Sequence, residues 1–258
     1  MRYAERRERL RATATERELD AVLVTDLLNV RYLTGFTGSN GALLLRADGG
    51  DVFGTDGRYT TQAGTQVPDV ELLVDRGTVS ALAREAVLPR SGRPPARTIG
   101  YESHHLTVDG LRALESVLAD AAAGGTVPEL TSVRRAVEAL RAVKDDDEID
   151  ALRRACAVAD AALAELAAEG ALRPGRTELQ VGRELDSRML TLGAEAPSFE
   201  TIVATGANSA IPHHRPDGTW ICAPVSRVAG LVPPVERSPC RPGSVCCTTS
   251  SSVTGSST

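Results

Sequence analysis

The amino-acid sequence predicts an α/β fold, with an N-terminal mixed-sheet domain, a second domain of α+β character and a disordered tail. Three observations lead to this prediction. Helical and extended patterns alternate over residues 1–125, where a hairpin signal requires an antiparallel pair of strands. Two amphipathic helices and a strand follow over residues 145–217. Over residues 218–258 this periodicity is lost, so we expect disorder there.

The first domain begins with a charged helix over residues 3–18 and a strand rich in β-branched residues over 21–25. Asp48-Gly49-Gly50 separates two further apolar runs, which predicts a hairpin. The remaining predicted elements follow in order. The hairpin strands cover 41–46 and 51–55, later strands 70–74 and 98–101, and helices 79–87 and 107–122.

A break rich in Gly and Pro follows, and we assign residues 126–144 to a linker. The next helix begins with the acids of residues 145–148, which the positive end of a helix dipole favours. Its apolar residues recur at alternating spacings of three and four, and Gly170 ends it. They are Ile149, Leu152, Cys156, Ala159, Leu163 and Leu166.

A second helix follows, for which Thr177 and Gln180 predict a capping box. Gly193 ends it, and its buried face is marked by Val181, Leu185, Met189 and Leu192. A strand is expected over residues 199–204. Two helices and one strand require a sheet to cover, but the sequence beyond residue 217 does not continue one.

Charge and hydropathy exclude several classes of function. The net charge of −5 provides no basic field for nucleic acid. The charged N-terminus has no apolar signal-peptide core, and no apolar stretch approaches the roughly 18 to 20 residues of a membrane span. We therefore expect a cytoplasmic protein without a membrane partner. The tail cysteines lack the paired spacing of a zinc site; they are Cys222, Cys240, Cys246 and Cys247.

Several short stretches occur in a characteristic order. In the first domain they are Asn29-Val30-Arg31-Tyr32-Leu33-Thr34-Gly35-Phe36, Gly38-Ser39 and Thr55-Asp56-Gly57-Arg58-Tyr59. Later they are Leu140-Arg141-Ala142-Val143-Lys144, Glu148-Ile149, Phe199-Glu200-Thr201-Ile202-Val203 and Asn208-Ser209-Ala210-Ile211-Pro212-His213. In order and spacing, residues 1–217 resemble the aminopeptidase P and prolidase branch of the creatinase-like "pita-bread" metallopeptidases.

The resemblance implies a creatinase-type N-terminal domain over residues 1–125 and part of a pita-bread catalytic domain over 145–217. It also implies an activity, hydrolysis of the amide bond before proline in a peptide substrate. Family enzymes bind two divalent ions, manganese or cobalt, through two Asp, one His and two Glu, and these ions activate a bridging water. A homodimer is one assembly that the sequence leaves open.

By the same resemblance, His213 matches the family histidine that contacts the substrate or intermediate, and His214 lies beside it. No metal ligand can be assigned in this chain. All five family ligands lie downstream of His213, whereas beyond Asp217 the chain contains no Asp, no His and a single Glu, Glu236. We therefore expect a chain that is truncated or frame-disrupted after about residue 217, binds no metal and is inactive as given.

Two other functions remain open, a non-catalytic binding or dimerisation module built on the first domain and a metal-free hydrolase similar to creatinase. Two local motifs have simpler explanations than a binding site. His104-His105 is expected to lie at a surface or turn, because neighbouring residues of an extended chain point in opposite directions. Asp56-Gly57-Arg58-Tyr59 is expected to form a turn with a local Asp–Arg pair and a glycine at a special φ.

Overall fold

A computed structural model describes residues 2–88, 94–221, 246–248 and 251–252, the last two ranges as backbone only. The chain divides into two compact units, Met1–Val143 and Lys144–Thr258. No helix among the described residues has the length and the apolarity needed to cross a membrane.

The first unit is built on a six-stranded sheet. Its strands are β1 (Ala21–Val24), β2 (Gly41–Arg46), β3 (Val52–Thr55), β4 (Glu71–Val74), β5 (Thr98–Tyr101) and β6 (Glu129–Ser132). Their order in the sheet is β4-β3-β2-β1-β5-β6. Strand β2 pairs antiparallel with β1 and β3, while the other neighbours are parallel. The predicted mixed sheet is thus confirmed.

Helices cover both faces of this sheet. They are α1 (Tyr3–Glu16), α2 (Leu27–Thr34), α3 (Thr60–Gln66), α4 (Thr78–Val87), α5 (Val108–Ala121) and α6 (Ala136–Ala142). Val22 and Val24 of β1 belong to the core beneath α1 and α2, whereas Ala21 and Leu23 belong to the core beneath α4 and α5. Successive side chains of a strand alternate between faces, which is why all four residues of the central strand β1 are apolar and buried.

The predicted linker over residues 126–144 is wrong, because most of these residues belong to the first unit. Strand β6 pairs in parallel register with β5, and α6 contacts α1 and α2. As an edge strand with exposed or half-buried side chains, β6 carries little hydrophobic signal. Its place is determined by backbone hydrogen bonds to β5, which sequence periodicity does not reveal.

The described residues of the second unit form helices α7 (Asp146–Ala168) and α8 (Glu178–Thr191) and four short strands. These are β7 (Ala196–Pro197), β8 (Ile202–Ala204), β9 (Cys246–Thr248) and β10 (Ser251–Ser252). The capping box of Thr177 and Gln180 is confirmed, and Asp145 and Glu148 form another at the start of α7. Both helices therefore begin where the side chains satisfy free backbone N–H groups.

Only the C-terminal half of the apolar stripe on α7 is buried in the core of this unit. Ala159 and Leu166 pack with α8 and β8, whereas Leu152 remains 53% exposed and Cys156 is also exposed. The stripe has helical spacing throughout, but a helix side is buried only where another element covers it.

Residues 218–221 lie beyond the predicted limit at residue 217 but contact the rest of the second unit. The Ile221 side chain is only 1% exposed, and its N–H donates to the carbonyl of Arg176 at 2.8 Å. The carbonyl of Thr219 accepts from Glu178 N–H at 3.0 Å. Farther along, β9 pairs with β8 and β10 with β7. The expected disorder of the other tail residues, and the four tail cysteine side chains, lie outside the described residues.

Candidate functional site: a groove beside His213

A groove of about 700 Å³ lies in the second unit between two chain segments, residues 199–202 and 213–216. Its lining residues are Phe199, Glu200, Thr201, Ile202, His213, His214, Arg215 and Pro216. The Arg215 Nε atom lies 2.9 Å from Glu200 Oε2, so a solvent-exposed ion pair connects the segments. The groove therefore combines apolar contact surface with two imidazoles and a neutralised pair of charges.

His213, the main candidate from the sequence, lies exposed at this groove. Its φ of 55° is in the left-handed region, which is uncommon for residues other than Gly. Such a conformation turns the chain sharply between Pro212 and His214. It directs consecutive residues to different surroundings, with one imidazole exposed and the other buried.

His214, the second candidate, is 9% exposed, and its Nε2 atom lies 2.6 Å from Oε2 of Glu178. The structure thus brings both predicted histidines to one groove, as their adjacency in the chain implies. They differ in surroundings: solvent can reach His213, whereas His214 is held by a buried carboxylate. What each imidazole does chemically stays a prediction.

Glu178 is a residue of this site that the sequence did not indicate. It is the first residue of α8, is fully buried, and accepts hydrogen bonds from Thr205 N–H at 2.7 Å and from Asn208 Nδ2 at 3.1 Å. Asp217 N–H also donates to it, at 3.4 Å. An acid in the first turn of a helix is normally explained by the helix dipole, and its long-range partners leave no local pattern.

Asp217 directly follows the groove segment 213–216. Its Oδ1 atom accepts from Thr219 N–H at 2.7 Å. Hydrogen bonding from Thr219 holds the pKa of the Asp217 carboxyl below its usual value. Asp217 therefore remains ionised at neutral pH and organises the turn that leads to the buried Ile221.

The residues near the groove do not fit the two-metal centre that the resemblance implies. Glu178, His214 and Asp217 lie close enough to share one ion. However, hydrogen bonds from within the unit already engage both oxygens of Glu178. A two-metal site of the expected kind also needs two Asp, one His and two Glu. No such set is grouped among residues 2–88 and 94–221.

One other cluster in the described chain could be mistaken for a metal site: Asp26, His104 and Glu138 in the first unit. His104 Nδ1 accepts from the backbone N–H of Arg135 at 3.4 Å, and Nε2 lies 2.9 Å from Glu138 Oε1. Both ring nitrogens of His104 thus have hydrogen-bond partners within the first unit, which explains the cluster without a metal ion. His104 and His105 lie exposed in a turn, as predicted.

The Asp56–Tyr59 motif also serves a local role. Arg58 Nη2 donates to Asp56 Oδ2 at 2.8 Å, which confirms the predicted Asp–Arg pair. Gly57 does not adopt a positive φ, so that part of the prediction is wrong. The turn is instead a short 3₁₀ helix, Gly57–Tyr59, capped by the Asp56 side chain. A 3₁₀ turn has ordinary negative φ values and needs no glycine for its backbone.

Family models match nearly the whole described chain. Residues 6–143 match the Creatinase/Prolidase N-terminal domain, and residues 150–228 match Metallopeptidase family M24. The two matches correspond to the two structural units, whose boundary lies between residues 143 and 144.

Curated relatives include the Uncharacterized peptidase YqhT of Bacillus subtilis, which is 34% identical over 206 residues. That match covers 80% of this chain and 54% of the relative. The Xaa-Pro dipeptidase of Pyrococcus furiosus is 27% identical over 213 residues, covering 81% of this chain and 55% of its own. The chain thus spans about half the length of the curated relatives it matches.

Solved structures include an Xaa-Pro dipeptidase from Bacillus anthracis, with a TM-score of 0.73 and 30% sequence identity. The match covers 84% of this chain and 57% of that one. An X-Pro aminopeptidase from Thermotoga maritima has a TM-score of 0.68 and 26% identity, covering 83% and 57% of the respective chains.

Proposed function

Because the chain belongs to the creatinase/prolidase family, we propose that it derives from peptidases that cleave the bond before proline and retains their peptide groove without their hydrolytic activity. The groove beside His213 supports the first part of this proposal. The chemistry of the residues around it supports the second. The names of two relatives, an Xaa-Pro dipeptidase and an X-Pro aminopeptidase, suggest the substrate class.

The groove suits a short peptide that contains proline. Phe199, 47% exposed, offers an aromatic face, and Ile202 and Pro216 add apolar surface. A proline ring is apolar and its nitrogen carries no N–H, so contact surface matters more there than hydrogen-bond acceptors. The exposed imidazole of His213 can donate a hydrogen bond to a peptide carbonyl at neutral pH.

Hydrolysis requires chemical groups beyond a surface that binds the peptide. In metallopeptidases, the bound ions would supply an activated water and polarise the carbonyl. The groove in this chain offers one carboxylate, Glu200, which is paired with Arg215, while the nearby Glu178 is fully buried and hydrogen-bonded. Beyond Asp217, Glu236 is the only acidic residue. We therefore propose that this chain binds such peptides but does not cleave them.

Binding and turnover can be measured separately. The purified chain is mixed with an Ala-Pro dipeptide and with Ala-Ala, with and without Mn²⁺. NMR of the imidazole groups reports binding, and amino-acid analysis reports release. We expect Ala-Pro to shift the His213 signals saturably and more strongly than Ala-Ala, without release of proline. Manganese-dependent turnover that His213→Ala abolishes would refute the proposal that the chain is inactive. His213 signals that Ala-Pro does not shift would refute the proposal that the groove binds the peptide.

A second function, a binding or dimerisation module formed by the first unit, is favoured by the completeness of that unit. Its sheet is covered on both faces by its own helices, in two separate cores. Limited proteolysis tests this second function, for which we expect a stable product that ends near residue 143. Sedimentation of that product gives its oligomeric state. A product that is degraded as fast as the rest of the chain would contradict this function.

A further inference from the structure

We infer that Glu178 is the positioning residue of the groove: it holds His213 in place by anchoring the chain on both sides of it. This role of Glu178 rests on the proposed function, because it concerns the shape of the groove that the proposed function uses. Glu178 does not line the groove itself, so it acts only through the residues it binds.

The anchors of Glu178 lie on either side of His213 in the sequence. Before it, Thr205 N–H donates to Glu178 Oε1 at 2.7 Å, and Asn208 Nδ2 donates at 3.1 Å. After it, Oε2 lies 2.6 Å from His214 Nε2 and 3.4 Å from Asp217 N. One carboxylate therefore closes a loop that has His213 near its end.

This closure accounts for the backbone conformation at the groove. An L-residue at a φ of 55° is strained, and such a conformation persists only where its surroundings over-determine it. Pro212, whose own φ is fixed by its ring, precedes His213, and Glu178 holds His214 immediately after His213. The imidazole of His213 is thus presented to the groove by a turn whose two ends are fastened to the same buried group.

The chemistry of Glu178 suits a fixed anchor. Glu178 is fully buried at the N-terminus of α8, where the helix dipole favours a negative charge. A carboxylate can only accept, and the donors around it match that requirement. In Glu178→Gln an NH₂ group would replace one oxygen and face either the donors before His213 or those after it. One side of the loop would then lose its anchor.

The test compares Glu178→Gln with Glu184→Gln in the full chain. Glu184 lies on the same helix and pairs with Arg188 at 2.7 Å, away from the groove. Imidazole NMR is informative because the chain has four histidines, and His104 and His105 in the first unit serve as internal controls. We expect Glu178→Gln to move the His213 and His214 signals only, and to weaken Ala-Pro binding by about tenfold or more, whereas Glu184→Gln changes neither.

The outcomes separate this inference from the proposed function. Unchanged His213 and His214 signals in Glu178→Gln would overturn the positioning role, whether or not the peptide binds. If the unaltered chain binds no Ala-Pro, the proposed function fails, but the imidazole signals still decide the role of Glu178. Should Glu178→Gln not fold, Asn208→Ala removes a single anchor; we expect it to shift the His213 signals, and unshifted signals would count against the inference.

Discussion

Asn29 Nδ2 lies 2.6 Å from Glu102 Oε1, joining two buried side chains that are 73 residues apart in the sequence. The other oxygen of Glu102 accepts from the backbone N–H groups of Thr25 at 2.6 Å and Asp26 at 2.8 Å. Glu102 directly follows β5, while its partners lie between β1 and the first turns of α2. This single carboxylate therefore connects the ends of two parallel strands in the centre of the sheet.

Replacing Glu102 by Ala would leave one N–H of the Asn29 amide and two backbone N–H groups without their acceptor. Because Glu102 is 2% exposed, water cannot readily take its place. We expect the first unit to lose about 3–5 kcal/mol of unfolding free energy, because each buried donor left without an acceptor costs about 1–3 kcal/mol. Urea unfolding followed by tyrosine fluorescence is suitable, since all four tyrosines lie in this unit. The exposed Glu115→Ala on α5 is the control, and equal midpoints for both variants would contradict the prediction.

The Glu138 carboxyl should make the stability of the protein depend on pH. Partial burial raises the pKa of its carboxyl, but hydrogen bonds from Asn29 and His104 outweigh this effect and hold the pKa below the ordinary value. A group with a lowered folded-state pKa stabilises the protein above its unfolded value, about 4.3 for glutamate, and loses that contribution as the pH falls through the folded value.

We therefore expect the unfolding free energy of the unaltered chain to decrease more steeply below about pH 4.3 than that of Glu138→Gln. Urea midpoints from tyrosine fluorescence across this range provide the measurement. Other carboxylates titrate in both proteins, so only the difference between the two curves reports Glu138. Parallel curves would show that Glu138 makes no such contribution.

Gly54 and Gly64 should respond to Ala in opposite directions. A β-carbon at Gly54 in β3 would lie 2.8 Å from Thr78 Cγ2 and 3.0 Å from Leu82 Cδ1, whereas nothing lies within 4 Å of one at Gly64 in α3. Leu82 is fully buried, so we expect Gly54→Ala to destabilise by about 1–3 kcal/mol. Gly64→Ala should stabilise by roughly 0.5–1 kcal/mol through helix propensity. Thermal unfolding measures both, and shifts of the same sign would contradict the packing described.

Ile221 tests whether the second unit extends beyond residue 217. Its buried side chain packs with α7 and α8, so Ile221→Ala should destabilise this unit by about 2–5 kcal/mol. The same substitution at Ile211, 53% exposed, should change stability by less than about 1 kcal/mol. Fluorescence of Trp220, the only tryptophan, follows unfolding. If both variants unfold at the same urea concentration, Ile221 is not part of the core.

Elements with strong local signals were predicted closely. Strands β2 and β5 begin and end at the predicted residues, and the capping box at the start of α8 lies at Thr177 and Gln180. The short helix α2 was not predicted, although Asp26 caps its start and Gly35 ends it in the left-handed region. Eight residues are too few for a clear helical period, so tertiary packing decides that they form a helix.

The sequence alone determined the α/β class, the order of most elements, the family and the two histidines at the groove. These depend on periodicity, caps and motifs, in which the informative residues are near neighbours. Only the tertiary structure decided that β6 and α6 complete the first unit, that Ile221 belongs to the second, and that Glu178 anchors the groove. Each of these depends on contacts between residues distant in the chain, where burial and hydrogen bonding give a side chain a role that its neighbours in sequence do not indicate.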